Sequence, residues 1–273
     1  MTATPRVLII GPGRLGNGLG RALTVAKWSV LIAGRSAKAD WGVALTDHKL
    51  VLIAVPDDVI GEVAKILAET GEVTPAHTIL HTSGALDRTA LAPLQGKAGG
   101  LGSFAPVQTV ADPATAAERL RGAYVIVEGD LRAVTAGKQL AEVLQMQALE
   151  LSPQAKVAYH VGAVTVANLG VALQAVAERV AEAGGVPAAD AAKIYLPLWR
   201  GMIANLEAMG AVQSLTGPLR RGDADTIRKH LSVLRGVERE VYLSLAQEAL
   251  IIARAAGLSE EKAGEVERAL RDG

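Results

Sequence analysis

The sequence predicts an α/β fold class: a mostly parallel sheet domain followed by an all-α C-terminal domain. Three observations predict it. Continuous apolar runs alternate with helically spaced segments through the first half, a glycine-rich turn joins the first run to the first helix, and nothing strand-like follows Ser152-Pro153. Apolar runs with intervening helices belong to strands buried on both faces of a parallel sheet. At 273 residues the chain exceeds one compact core, so the expected domains are 1–151 and 152–273.

The elements follow in order. Val7 to Ile10 is a β-branched strand, Gly16 to Ala26 has helical spacing, Ser29 to Ala33 is a second strand, and Leu50 to Val55 is the cleanest strand of all. Ile60 to Glu69 reads as a helix ending before Gly71, and Thr78 to His81 as a strand entering Ser83-Gly84. Runs near Gly102 to Phe104 and Ala123 to Val127 suggest two more. Ser152 is a good N-cap and Pro153 suits the first helical position. The helix that starts there runs to Gly184-Gly185 and spans about 45 Å at 1.5 Å per residue. Further helices are expected over Pro187 to Met209, kinked at Pro197, then Asp223 to Leu234, Arg235 to Ala256 and Ser259 to Leu270.

Composition excludes several function classes. Apolar residues make up 50% and charged residues 21%, a globular balance, with one Phe, three Trp and four Tyr in a mainly aliphatic core. Lys plus Arg equals Asp plus Glu at 28 each, so no basic excess exists to grip nucleic acid or an anionic membrane surface. The absence of Cys removes disulfides, thiolate nucleophiles and iron–sulfur ligands. Five histidines show no metal-ligand spacing, and neither a G-x-S-x-G elbow nor a P-loop lysine occurs, so no metal site is expected. No charged leader precedes the first strand and no uninterrupted apolar run is long enough to span a bilayer, so a soluble, cytoplasmic chain without a membrane partner is expected.

The most informative stretch is Gly11-Pro12-Gly13-Arg14-Leu15-Gly16, a G-x-G-x-x-G that follows a strand and opens a helix. That is the Rossmann context for dinucleotide binding. Gly11 allows the tight turn, Gly13 lets backbone approach a pyrophosphate, Gly16 lets the helix pack on the sheet, and the helix N-terminus offers free N–H groups. Arg14 either adds charge there or is solvated. The second strand ends Ile32-Ala33-Gly34-Arg35-Ser36 with no acid to accept from a ribose 2′-hydroxyl. Arg35 and Ser36 instead suit a 2′-phosphate, which favours NADP over NAD, although Arg35 could be a solvated turn residue and Asp40 the missing acid. Val55-Pro56-Asp57-Asp58 lies at the carboxyl end of a strand, where ligands sit, with one of the two acids reading better as a helix cap. Ser83 and Gly84 occupy the equivalent place after the next strand, and His81 there is divided between structure and ligand.

These motifs, with Ser103-Phe104-Ala105-Pro106-Val107-Gln108, Tyr159-His160, Asn168 and Ser214-Leu215-Thr216-Gly217-Pro218 leading to Arg221, carry a resemblance. The first half resembles the NADP-binding domain of pyrroline-5-carboxylate reductase, ketopantoate reductase and the β-hydroxyacid dehydrogenases. The whole chain looks like bacterial Rossmann-like proteins with a helical C-terminal domain of undefined function. The resemblance implies an NADP-dependent oxidoreductase and a homodimer built through the helical domain. Related reductases carry a proton-donating Lys on the first long helix, with an Asn further on.

Here the corresponding helix carries His160 and Asn168, with Lys156 one turn earlier, which departs from the Lys-based pattern. Eight residues are two turns plus about 80°, so His160 and Asn168 can border one cleft. An imidazole can donate a proton near neutral pH, though a buried structural histidine fits the same apolar helix. His160, Asn168 and Ser83 are therefore the catalytic candidates. Ser83, Gly84, Ser214, Thr216 and Arg221 are candidates for a substrate carboxylate, with Asp223 an N-cap and His230 structural. The expected activity is reduction of the C=O or C=N of a small carboxylate-bearing metabolite, such as a keto acid or cyclic imino acid. Alternatives are a non-catalytic NADP-binding sensor and an NADP:deazaflavin oxidoreductase.

Overall fold

A computed structural model describes residues 4–272. In chain order the first part comprises β1 (Arg6–Ile10), α1 (Arg14–Val25), β2 (Ser29–Ala33), α2 (Trp41–Asp47), β3 (Leu50–Ile53), α3 (Asp57–Glu69), β4 (Thr78–His81), β5 (Gly100–Pro106), α4 (Ala116–Leu120), β6 (Tyr124–Gly129), α5 (Leu131–Val143) and β7 (Gln147–Glu150). The second part is α6 (Pro153–Ala183), α7 (Ala188–Ile194), α8 (Leu196–Ser214), α9 (Gly217–Arg221), α10 (Ala224–Val233), α11 (Gly236–Ala255) and α12 (Glu260–Asp272).

The seven strands form one sheet in the order β2-β1-β3-β4-β5-β6-β7. Every neighbouring pair is parallel except β5 and β6, which run antiparallel with Phe104 opposite Val127. The reversal of strand order beside β1 is where open α/β sheets bind ligands. Side chains alternate faces along each strand. Val7, Ile9, Leu52, Leu80 and Phe104 therefore pack with α1, α4 and α5 on one face. Leu8, Ile10, Val51, Ile53 and Ile79 pack with α2 and α3 on the other. Burial on both faces explains why these strands read as unbroken apolar runs.

The chain divides into compact units 1–167 and 168–273, so the division falls inside α6 and not at residue 151. The start of α6 is where the sequence puts it, with the Ser152 hydroxyl accepting from Ala155 N–H at 3.2 Å. Its first turns stay with the sheet because Lys156 is buried there. In the second unit Ile227, Leu231, Leu250, Ala253 and Val266 form a small aliphatic core. The expected kink at Pro197 is a full break at Tyr195, after which Pro197 sits in the first turn of α8, where no N–H is needed.

Over its most apolar 18-residue window α6 has a mean hydropathy of 1.4, so it is long and apolar enough to cross a membrane by length and composition. His160, Thr165 and Asn168 interrupt the run of apolar letters without lowering the average below that mark.

Phe104 is fully buried at the middle of β5. Phe104→Ala is expected to destabilise the chain by about 3–5 kcal/mol in urea unfolding, the range for an aromatic truncated in a core.

Candidate dinucleotide and proton-transfer site

The geometry begins where β1 turns into α1. Gly11 takes φ +117°, and a Cβ there would lie 2.3 Å from the Ala54 carbonyl oxygen. A Cβ on Gly16 would lie 1.9 Å from the Gly11 carbonyl oxygen, so the helix can start this close to the sheet only without side chains. Gly13 by contrast faces open space. As the N-cap of α1 it offers no side chain to the first-turn amides, and no acid occupies that turn. The free N–H groups and the positive end of the dipole are thus open to an anion.

A cavity of about 260 Å³ adjoins this turn, walled by Gly11, Pro12, Gly13, Arg35, Val55 and Pro56. Lys38, Trp41, Val59 and Glu62 extend the wall. Arg14, Leu15, Gly16, Ser36 and Asp57, also expected at the coenzyme, lie outside it. Leu15 packs against the apolar core and Arg14 and Ser36 are exposed. Trp41 is buried, and its indole N–H has no hydrogen-bond partner among the described residues. The glycine turn, the open Gly13 and the cations Arg35 and Lys38 fit a dinucleotide with a phosphate on its ribose.

Around the carboxyl end of β4 and the middle of β5 lies a buried polar cluster that no sequence motif assembles. Lys156 reaches from α6 to donate to the Leu86 carbonyl and to the Ser103 hydroxyl, the latter at 2.7 Å. Glu128 accepts from Arg88 N–H at 2.9 Å. His81 Nε2 donates to the Asp87 carbonyl at 3.0 Å while its Nδ1 accepts from Ser83 N–H at 3.2 Å, which fixes the tautomer. Burial pushes the Lys156 ammonium down to about 8, against the pull of Glu128, Asp87 and Asp57. Burial, then the charge of Lys156, pushes His81 down to about 4. Burial raises Glu128 against the same lysine. The signals available in the sequence are a charged residue, Glu128, directly after the apolar run Val125-Ile126-Val127 and a lone lysine at the start of an apolar helix.

Ser83 anchors the next turn. Its hydroxyl donates to Asp57 at 2.8 Å and accepts from the Ala85 and Leu86 amides at 3.1 and 3.0 Å. Gly84 follows, and a Cβ on it would come within 2.7 Å of His160 Nδ1. The imidazole of His160 therefore rests against the backbone of this turn. Asn168 is exposed two turns along α6. In the second unit Ser214 Oγ donates to the Gly210 carbonyl at 2.7 Å, and Ser214 and Thr216 line a cavity with Trp199 and Asn205. Arg221 is exposed. Asp223 caps α10 through Thr226 N–H, and His230 Nδ1 pairs with the Tyr242 hydroxyl at 2.9 Å.

The sheet order, the glycine turn and the all-helical second part define a protein with a Rossmann-type domain followed by a helical one. In particular, residues 39–102 match the Rossmann-like domain model and residues 123–249 match the domain of unknown function DUF2520. The two matches stand in tandem along the chain. No curated protein matches the sequence. Among solved structures, BF3122 of Bacteroides fragilis, provisionally named an NADP oxidoreductase, is 18% identical with a TM-score of 0.67, covering 93% of this chain and 98% of its own. Protein TM1727 of Thermotoga maritima is 24% identical at TM-score 0.65, with 96% and 100% coverage. A reductive aminase of Aspergillus terreus, solved with NADPH and ethyl-5-oxohexanoate, is 15% identical at TM-score 0.56, with 99% and 95% coverage. At these identities the likeness establishes the shared fold.

The depressed histidine sets a pH dependence. Because His81 is neutral in the fold but titrates near 6.5 in the unfolded chain, its contribution is complete above pH 6.5 and is lost as pH falls toward 4. Urea midpoints should fall across that window, and His81→Gln, which keeps the donor to Asp87, should flatten the fall.

Proposed function

We propose that the chain is an NADP-dependent oxidoreductase that reduces the C=O or C=N group of a small carboxylate-bearing metabolite. The observation that carries this reading is the uncapped start of α1, with Gly13 open in front of it and Arg35 and Lys38 on the adjoining cavity wall. The NADPH in the Aspergillus reductive aminase, which shares the fold, supports it. The coenzyme, when bound, supplies a hydride. The Gly11 to Gly16 turn binds its diphosphate, and Arg35 with Ser36 takes the 2′-phosphate. Val55, Pro56 and Asp57 pass the nicotinamide half at the carboxyl edge of the sheet.

His160 is the proposed proton donor to the oxygen or nitrogen of the reduced bond. Its ring is held against Gly84, and Ser83 acts by holding that turn in place through Asp57. Asn168 is the proposed hydrogen-bond partner of the substrate, and Ser214, Thr216 and Arg221 are the proposed partners of its carboxylate. Lys156 is spent on Leu86 and Ser103, so it acts as a positioning residue for α6. That same observation favours the second reading, an NADP-binding sensor without hydride chemistry, because the one lysine at this end of the helix is engaged by the fold.

We also propose a homodimer through the helical domain. Val161, Val166, Leu169 and Val171 on α6 and Leu198, Ile203 and Met209 on α8 are exposed, more large apolar side chains than isolated chains usually leave to water on two helices. Sedimentation at micromolar concentration is expected to give twice the chain mass; a monomer there removes the idea.

Calorimetry should detect NADPH binding that Gly13→Val abolishes, since the added side chain fills the open space in front of α1. NADPH oxidation should then appear with at least one member of a panel of 2-keto, 3-keto and cyclic imino acids. His160→Ala is expected to lower that turnover by about 10²–10⁴, the contribution of a general acid. Binding without turnover on any panel member would leave the sensor reading standing.

A further inference from the structure

The coenzyme cavity contains an acid that the end of β2 lacks. Glu62, on the second turn of α3, lines the same cavity as Arg35 and Lys38. Lys38 Nζ donates to Glu62 Oε1 at 3.1 Å. The Lys38 hydrogen bond and charge, and behind them the charge of Arg35, hold the Glu62 carboxyl below its ordinary range. Of the two cations on the wall, Lys38 is thus already paired with a carboxylate.

Two ligands meet this arrangement differently. A ribose 2′-phosphate is an anion that competes with Glu62 for Lys38 and Arg35. A ribose 2′-hydroxyl is a donor, for which a carboxylate at this cavity is the natural acceptor. We infer that Glu62 sets the coenzyme preference: it yields Lys38 to a 2′-phosphate when the ligand carries one, and accepts from the 2′-hydroxyl when it does not. The inference rests on the dinucleotide reading above. It makes Glu62 a carboxylate supplied by α3 in the role usually filled at the end of the second strand, and it makes the site a user of both coenzymes with a bias set by one ion pair. The pair is half-exposed, so the bias is small.

The test is calorimetric titration of the wild-type chain, Glu62→Gln and Lys38→Gln with NADPH and with NADH. Glu62→Gln removes the competing charge and the strong acceptor together. It is expected to tighten NADPH by about two- to fivefold, the range of an exposed ion pair, and to weaken NADH by a similar factor. Lys38→Gln should move the ratio of the two affinities the other way. A Glu62→Gln ratio that is unchanged, or that shifts toward NADH, overturns the role of Glu62 while wild-type NADPH binding leaves the dinucleotide reading intact. Wild-type binding of neither coenzyme overturns both. Glu62 is on the surface of α3 and fills no core position, and Lys38→Gln reads the same balance from the opposite partner.

Discussion

The structure depends on how closely β1, β3 and α1 approach one another at the first turn. A side chain at Gly11 would strike the Ala54 carbonyl, and one at Gly16 would strike the carbonyl of Gly11 itself. Because α1 starts against the sheet, its free amides lie at the strand ends, beside the exit of β3 and the cavity walled by Val55 and Pro56. A methyl group at Gly16 would push the helix outward and carry the anion-binding amides with it. The fold and the site are in this sense one constraint, met by backbone.

A second constraint is electrostatic. Lys156, Glu128, His81, Ser103 and Ser83 are all buried around the end of β4 and the β5–β6 pair. Such groups are tolerated only when each finds a partner, and removing one strands the others. Their hydrogen bonds tie the 82–88 segment to the beginning of α6, which lies in the first unit. The segment so fixed includes Gly84, and the position of His160 follows from it.

Much of this is legible in the sequence, and what is not has physical causes. Strands β1, β3 and β4 are readable because they lie between two covered faces and their apolar runs are nearly unbroken. Strand β7 is hidden because all four of its residues are exposed, so it shows neither alternation nor an apolar run. The antiparallel direction of β6 is not readable, since a strand's direction is not encoded in its own residues. Gly11, Gly13, Arg35, Val55 and Pro56 reach the cavity as motif and strand end predict, whereas Lys38 and Glu62 come from a short 3-10 segment and a helix and meet only in space. Along the chain Lys156 stands out as the lone lysine of an apolar helix, but its partners Leu86 and Ser103 are 70 and 53 residues away.

The buried indole of Trp41 has an optical consequence. Of the three tryptophans it alone is almost wholly removed from solvent, and it belongs to the wall of the cavity beside the glycine turn. Indole emission responds to the polarity around the ring, so Trp41 contributes the short-wavelength part of the chain's fluorescence. Filling the cavity changes the surroundings of that ring and leaves Trp28 and Trp199, which lie elsewhere, as an internal reference. The protein carries its own gauge of occupancy, readable without a label.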